Sequence, residues 1–315
     1  MASAEEALNL ALLPFVDMPH SPMVTKAAAM VAARYSNTQS VLFYGSCLRT
    51  GEVDGQMLDF YVIVDDYRNA YKQRRRAVWN RLIPPNVFYF EQQIDGIIVR
   101  AKYAVLSISH FQSLVSEKAF NPAIWARFAQ PIVLAYERDK EARKKVVRAL
   151  SQSLLTLVKC CAPALSWPLT EREMWSAFFE LTYNTEFRAE RGGRPGQLYD
   201  FMPDFYNSVT EALLQTSKTP IIKDKVSGKL KAGESVSGAP LAGFRWFLRR
   251  LQGKLLHVAR LIKGAATFDG GIDYLAWKIH RHSGVRVDIK PWQRKFPVIA
   301  GILWLPRLKG KGAIK

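Results

Sequence analysis

Between Ser40 and Val64 the chain reads SVLFYGSCLRTGEVDGQMLDFYVIV. A β-prone run ends at Tyr44-Gly45-Ser46, and thirteen residues after Ser46 an acid, Asp59, stands inside a second run dense in β-branched and aromatic residues. Glycine lets a phosphate oxygen approach the backbone, and a serine hydroxyl with neighbouring N–H groups can then hydrogen-bond that phosphate. A carboxylate in an otherwise apolar strand is costly to bury without a positive partner, and a magnesium ion shared with phosphate oxygens is such a partner. Gly-Ser alone marks many ordinary turns. With a strand acid at this spacing, the combination points to transfer of a nucleotide from its triphosphate. The general nucleotidyltransferase pattern has a second acid two residues on, where this chain has Tyr61. A second metal carboxylate must then come from Asp54, Asp65, Asp66 or Glu91. Asp54 is set beside Asp59 as metal ligand, and Asp65-Asp66 reads better as a strand end and helix cap.

These residues need elements to hold them. MVTKAAAMVAARY (23–35) reads as a helix, and Met57 to Val64 as a buried strand. Residues 67–82 read as a polar helix stopped by Pro84-Pro85. Val87 to Glu91 and Ile97 to Leu106 read as strands joined by an Asp95-Gly96 hairpin turn. Beyond Ile108 the pattern is helical, with long helices over 137–160 and 170–190. The order of mixed strands and then helices gives an α+β class. Residues 1–135 form the strand-containing unit, 136–217 a helical unit completing the cleft, 218–240 a Lys/Ser/Gly-rich linker and 241–315 a basic amphipathic region.

The strings YGS…MLDFYVIVDDY, NVFYF and AKYAVLS resemble the mitochondrial-type phosphatidate cytidylyltransferases, the family of the mitochondrial translocator assembly and maintenance protein. WARFAQPIVL (125–134) and LTYNTEFR (181–188) are similar to later segments of that family, and VARLIKGAATFDGG (258–271) is similar more loosely. That family also lacks the second strand acid, so Tyr61 is expected within it. The chain departs from it at Cys47, at Ala104, and in lacking the His and Asn residues usual after VDD. The resemblance implies a nucleotidyltransferase fold and a reaction in which CTP and phosphatidic acid give CDP-diacylglycerol and pyrophosphate, with Mg²⁺. It implies roles for Tyr44, Gly45, Ser46, Lys102 and Arg127 at the nucleotide, for Asp59 and Lys102 in catalysis, and for Tyr183 and Arg188 at the acceptor, with Glu186 matched between them. Without it, Lys102 reads as a strand lysine reaching for solvent, and Arg127 and Arg188 as helix ion-pair partners.

Charge says where an acceptor would be found. Of the net +18, residues 1–215 hold 24 Lys/Arg against 22 Asp/Glu, and residues 216–315 hold 21 against 5. Such asymmetry points to a polyanion. Residues 244–263 place Phe244, Phe247, Leu248, Leu251, Leu255, Val258 and Ile262 at helical spacing among Arg and Lys, which reads as a basic amphipathic helix or as a helix docked on the protein's own core. Trp292, Trp304 and basic residues around the short apolar run from Phe296 to Leu308 suit an interfacial anchor. No stretch reaches the ~18 apolar residues of a membrane span, and no signal peptide is read at the N-terminus. The expectation is a peripheral protein on the cytoplasmic face of an anionic membrane. A nucleotidyltransferase acting on RNA or another phosphorylated acceptor is the alternative, and no RNA-binding motif favours it, so no nucleic-acid partner is expected. A non-catalytic scaffold that has kept the fold is a third reading. The three cysteines, Cys47, Cys160 and Cys161, form no CxxC pair, and the five histidines form no HExxH, which leaves no zinc signature.

Overall fold

The computed structural model describes residues 4–186, 194–215, 220–233, 239–267 and 288–295. In chain order the elements are α1 (Ala4–Val16), α2 (Pro22–Ala32), β1 (Thr38–Tyr44), α3 (Ser46–Thr50), β2 (Met57–Val64), α4 (Tyr67–Ala70), α5 (Arg74–Leu82), β3 (Asn86–Ile94), β4 (Ile97–Ser107), α6 (Ile108–Val115), α7 (Trp125–Phe128), β5 (Val133–Glu137), α8 (Lys140–Cys161), α9 (Glu171–Tyr183), α10 (Arg194–Phe201), α11 (Pro203–Leu214), β6 (Ile221–Lys223), β7 (Leu230–Ala232) and α12 (Ala239–Thr267). The class is α+β, as the order of elements in the sequence implies.

Five strands form one mixed sheet in the order β3-β4-β2-β1-β5. β2 runs parallel to β4, and the other pairs are antiparallel. The hairpin at Asp95-Gly96 forms with both residues at positive φ, the geometry a two-residue turn between twisted strands requires. Alternation along the strands sends Val41, Phe43, Phe60, Val62, Tyr103 and Val105 to one face, against Val24, Ala27, Ala28 and Val31 of the Ala-rich α2. Leu42, Tyr61, Ile63, Ala104 and Leu106 face the other way, against buried residues of α6, α7 and α8. Each fully buried Val, Leu or Phe contributes about 1.5–3 kcal/mol, so a one-residue slip of β2 would forfeit both faces at once.

The expected helix over 67–82 is two helices, α4 and α5. Asp66 caps α4, accepting a hydrogen bond from the Asn69 N–H at 2.9 Å, so the strand-end and cap reading of Asp65-Asp66 holds. Asp65 is held by Arg138 at 2.8 Å and by Gln39 at 2.5 Å. α8 starts at Lys140 rather than 137, because Val133–Glu137 pairs with β1 as the sheet's edge strand. A boundary at 135 thus falls inside a strand. One hydrophobic cluster runs from α1 through the sheet to α8, α9 and α11, and reaches Ile221, Leu230 and Trp246. The Lys/Ser/Gly-rich stretch contains the β6–β7 hairpin, tied to the body by Leu169 pairing with Leu230.

Helix α12 faces inward with Ala242 and Trp246 and also with two cations, while Arg245, Arg250 and Lys254 are exposed. Arg249 is 7% exposed and Lys263 8%, while Leu251 and Leu255 are 52% and 64% exposed. The Arg249 guanidinium lies 5.0 Å from the Trp246 ring centroid and 5.3 Å from that of Phe120, and its Nε donates to the Phe120 carbonyl at 3.1 Å. Arg260 Nε donates to the Pro84 carbonyl at 2.9 Å, and Lys263 Nζ to that of Pro85 at 2.7 Å. Phe244, Phe247, Leu248, Leu251, Leu255 and Val258 lie on the outer side instead of packing onto the body. Of the C-terminal anchor segment, only residues 288–295 are described. They include exposed Trp292, while Trp304 and the Phe296–Leu308 run lie outside the described residues. No described helix is long and apolar enough to cross a membrane.

Candidate functional site

The parallel register of β2 and β4 sets Asp59 directly beside Lys102, and the antiparallel register of β1 and β2 sets Asp59 opposite Tyr44. The three side chains therefore share one face of the sheet. Lys102 Nζ lies 3.1 Å from Asp59 Oδ1, with both side chains partly exposed. The ammonium lies out of line for a hydrogen bond, and Oδ1, itself buried, accepts none.

Gly45 follows Tyr44 and caps α3 at φ +94°, ψ −156°, a conformation open essentially to glycine alone. A Cβ built there would stand 2.7 Å from Asp59 Oδ2. Position 45 thus needs glycine twice, for its φ and for its approach to the carboxylate. Ser46 is exposed at the first turn of α3, and Cys47 is buried behind it, with its thiol donating to the Met57 carbonyl at 3.2 Å.

Position 61, two residues on and on the same face as Asp59, is filled by an aromatic ring. Tyr61 is 4% exposed, 5.2 Å from the Tyr44 ring and 4.7 Å from that of Phe128. Burial pushes both phenol pKa values up, so Tyr44 and Tyr61 stay neutral. Arg127, on α7, places its guanidinium 5.6 Å from the Tyr44 ring centroid. Burial opposes its charge, yet its pKa is raised above the ordinary arginine value, and with the Glu186 and Asp59 carboxylates nearby it stays protonated.

Arg127 stands between two small cavities. One is shared with Tyr44, Gly45, Arg49 and, from the helical layer, Leu198, Phe201 and Tyr206. The other is shared with Gln130, Tyr183 and Glu186. Tyr44, Gly45, Asp59, Lys102, Arg127 and Tyr183, distant in sequence, are thus gathered in one region. Arg188 lies outside the described residues. Asp54 is exposed on the turn before β2, and the described residues hold no cluster of three His, Cys, Asp or Glu side chains able to cage a metal ion.

Two cations at this region are not marked by the strand motifs. Arg49, three residues after Ser46, lies 5.5 Å from the Phe201 ring centroid and lines the cavity with Gly45. Arg260, from α12, is half-buried, and the loss of water around it lowers its pKa despite the nearby Glu186 carboxylate. Its only trace in the sequence is its place in the VARLIKG segment.

The Asp59 carboxylate, with Oδ2 facing the Gly45 backbone and a buried Oδ1 that lacks a hydrogen bond beside Lys102, fits a Mg²⁺ ion delivered with its phosphates. Such ions use one or two protein carboxylates and take the remaining ligands from phosphate and water. Asp59 would hold it.

No protein-family model and no curated protein matches the chain. Among solved structures it is similar to a nucleotidyltransferase-like protein from Exiguobacterium sibiricum 255-15, with 13% identity and a TM-score of 0.27 over 92% of this chain and 91% of that one. At that level of likeness the functional reading rests on the site's own residues.

Proposed function

We propose that the protein is a magnesium-dependent cytidylyltransferase that joins CTP to phosphatidic acid at a membrane surface, giving CDP-diacylglycerol and pyrophosphate. The observation that carries this reading is the contact of the Gly45 backbone with the Asp59 carboxylate, with Lys102 3.1 Å from that carboxylate. The reading is further supported by the grouping of the segments on which the resemblance rests: β1–α3, β2, β4, α7 and the end of α9.

The triphosphate would lie along Gly45-Ser46, where the missing side chain admits phosphate oxygens and the exposed Ser46 hydroxyl donates to one of them. Mg²⁺, held by Asp59 and the phosphates, would supply charge stabilisation to the departing pyrophosphate. Lys102 and Arg127 offset the repulsion between two anions, the triphosphate and the incoming phosphate. The acceptor needs no dedicated base, since a phosphate monoester has a second pKa of about 6 and is mostly dianionic at neutral pH. Its oxygen attacks the α-phosphorus of CTP, the bond from that phosphorus to the β-bridging oxygen breaks, and pyrophosphate leaves. Tyr183 and Glu186, which line a cavity with Arg127, would meet the acceptor. The outward apolar stripe of α12, with Leu251 and Leu255, suits contact with lipid.

The test is a nucleotide screen with phosphatidic acid vesicles, reading pyrophosphate release and lipid-linked nucleotide. CTP-selective release with a CDP-lipid product is expected. Release with RNA in place of vesicles would move the acceptor to nucleic acid. No release with any nucleotide would exclude catalysis.

A further inference from the structure

The sheet has a second concave surface, at the other end of β2. Asp66 follows Asp59 by seven residues, so this surface lies about 20 Å from the Asp59 carboxylate at ~3.3 Å per residue. It is a groove of about 1110 Å³ between α4, α5 and the start of α6. Its floor is aromatic and fixed. Tyr67 and Tyr71 are buried with their rings stacked 6.4 Å apart. Their hydroxyls are engaged, Tyr67 with His110 Nδ1 at 2.9 Å and Tyr71 with the Asn80 side-chain N–H at 3.1 Å.

The rim is cationic. Arg68, Lys72, Arg74 and Arg81 line the groove, all exposed. Among the described residues none of these cations is ion-paired, in contrast to Arg100, Arg138 and Arg143 elsewhere on the surface. The one carboxylate in the lining, Asp66, is spent on α4, with one oxygen on the Asn69 N–H and the other on the Asn69 side chain at 2.7 Å. Like charges gathered around a concavity repel one another and raise the local concentration of anions. Arginine's forked donors match phosphate oxygens, and the exposed Ser109 hydroxyl adds another donor. The volume exceeds what a bare phosphate fills and suits a phosphate with an organic portion lying on the tyrosine floor.

We propose that this groove is a second anion site, separate from the Asp59 site, that binds a phosphate-bearing molecule through Arg68, Arg74 and Arg81. The phosphate is carried either by a small soluble compound or by a lipid head group. The full chain would be titrated calorimetrically with inorganic pyrophosphate in metal-free buffer. In parallel it would be sedimented with phosphatidylcholine vesicles with and without phosphatidic acid. Three variants are compared with the wild type: Asp59→Asn, the groove pair Arg74→Glu with Arg81→Glu, and a control pair of equal charge change, Lys144→Glu with Arg148→Glu, on the exposed side of α8.

Binding of at least one probe should survive in Asp59→Asn and in the control pair, and weaken about tenfold or more in the groove pair, with a steep salt dependence. Pyrophosphate binding alone identifies a soluble ligand. Binding only to phosphatidic acid vesicles identifies a head group. The proposal is overturned if the wild type binds neither probe, if groove and control pairs weaken binding alike, or if Asp59→Asn abolishes it. CTP binding measured on the groove pair keeps the two sites apart, because failure here leaves the reading of the Asp59 site standing.

Discussion

A methyl group at Gly45 would meet the Asp59 carboxylate, its carbon 2.7 Å from Oδ2. Two residues fourteen positions apart thus define one surface. The chain turns at Gly45 against an acid, and a ligand's phosphates can lie only where no side chain intervenes.

Gly45→Ala is expected to fail on two counts. Its φ of +94° costs an L-residue about 1–3 kcal/mol, and the new methyl displaces Asp59. Denaturant unfolding should show a loss of that size, and pyrophosphate release should fall further than stability explains.

Lys102→Met removes the positive neighbour of a buried carboxylate oxygen. Nucleotide transfer is expected to drop about 10²-fold or more, whereas Lys102→Arg, which keeps the charge and changes its shape, retains part of the activity. Steady-state kinetics on both variants would check this. Equal activity of Lys102→Met and wild type would remove Lys102 from the site.

The packing of α12, with Arg249 buried and Leu251 exposed, sets two substitutions against each other. Arg249→Ala strips hydrogen bonds and aromatic contacts from a buried cation, and stability is expected to fall by about 1–3 kcal/mol. Leu251→Ala, on the exposed side, should change stability by no more than about 0.5 kcal/mol. Chemical denaturation of the pair reads the orientation directly. Vesicle sedimentation of Leu251→Ala reads whether that side meets lipid.

His110 supplies a pH dependence. Burial and then the charge of Arg81 hold its pKa below the ordinary 6.5. Below that ordinary value the unfolded chain takes up a proton that the folded chain still refuses, so this group's effect destabilises the fold as pH drops through the histidine range. Melting temperatures from about pH 7.5 down to about 5.5 should fall more steeply for wild type than for His110→Asn.

Much of this was legible in the chain. β1 and β2 announce themselves by β-branched and aromatic runs, the hairpin by Asp95-Gly96, and the cap by Asp66. The Gly-Ser turn and the strand acid mark one site because strand register, which a parallel pair converts into adjacency, places Lys102 beside Asp59. Other features are set by packing and leave no local trace. The edge strand Val133–Glu137 is short and runs straight into a long helix, so its residues resemble a helix start. Composition marks the β6–β7 stretch as a loop, and its ties to the body are the pairing of Leu230 with Leu169 and the burial of Ile221 and Leu230 in the core. Helical spacing identifies the two sides of α12 but cannot say which side faces in. That depends on Trp125, Trp246 and Phe120 forming a socket for Arg249. The basic groove is assembled from the α4–α5 break, which the polar run 67–82 conceals.

The central claim is that Asp59, with Gly45 and Lys102, transfers cytidylate to a lipid phosphate. The most direct measurement is pyrophosphate release by purified full-length protein given CTP, Mg²⁺ and phosphatidic acid vesicles, comparing wild type with Asp59→Asn. The account predicts CTP-dependent release with formation of CDP-diacylglycerol, reduced about 10²- to 10³-fold or more in Asp59→Asn. Equal release by the two proteins, or none from the wild type with any nucleotide, would contradict it.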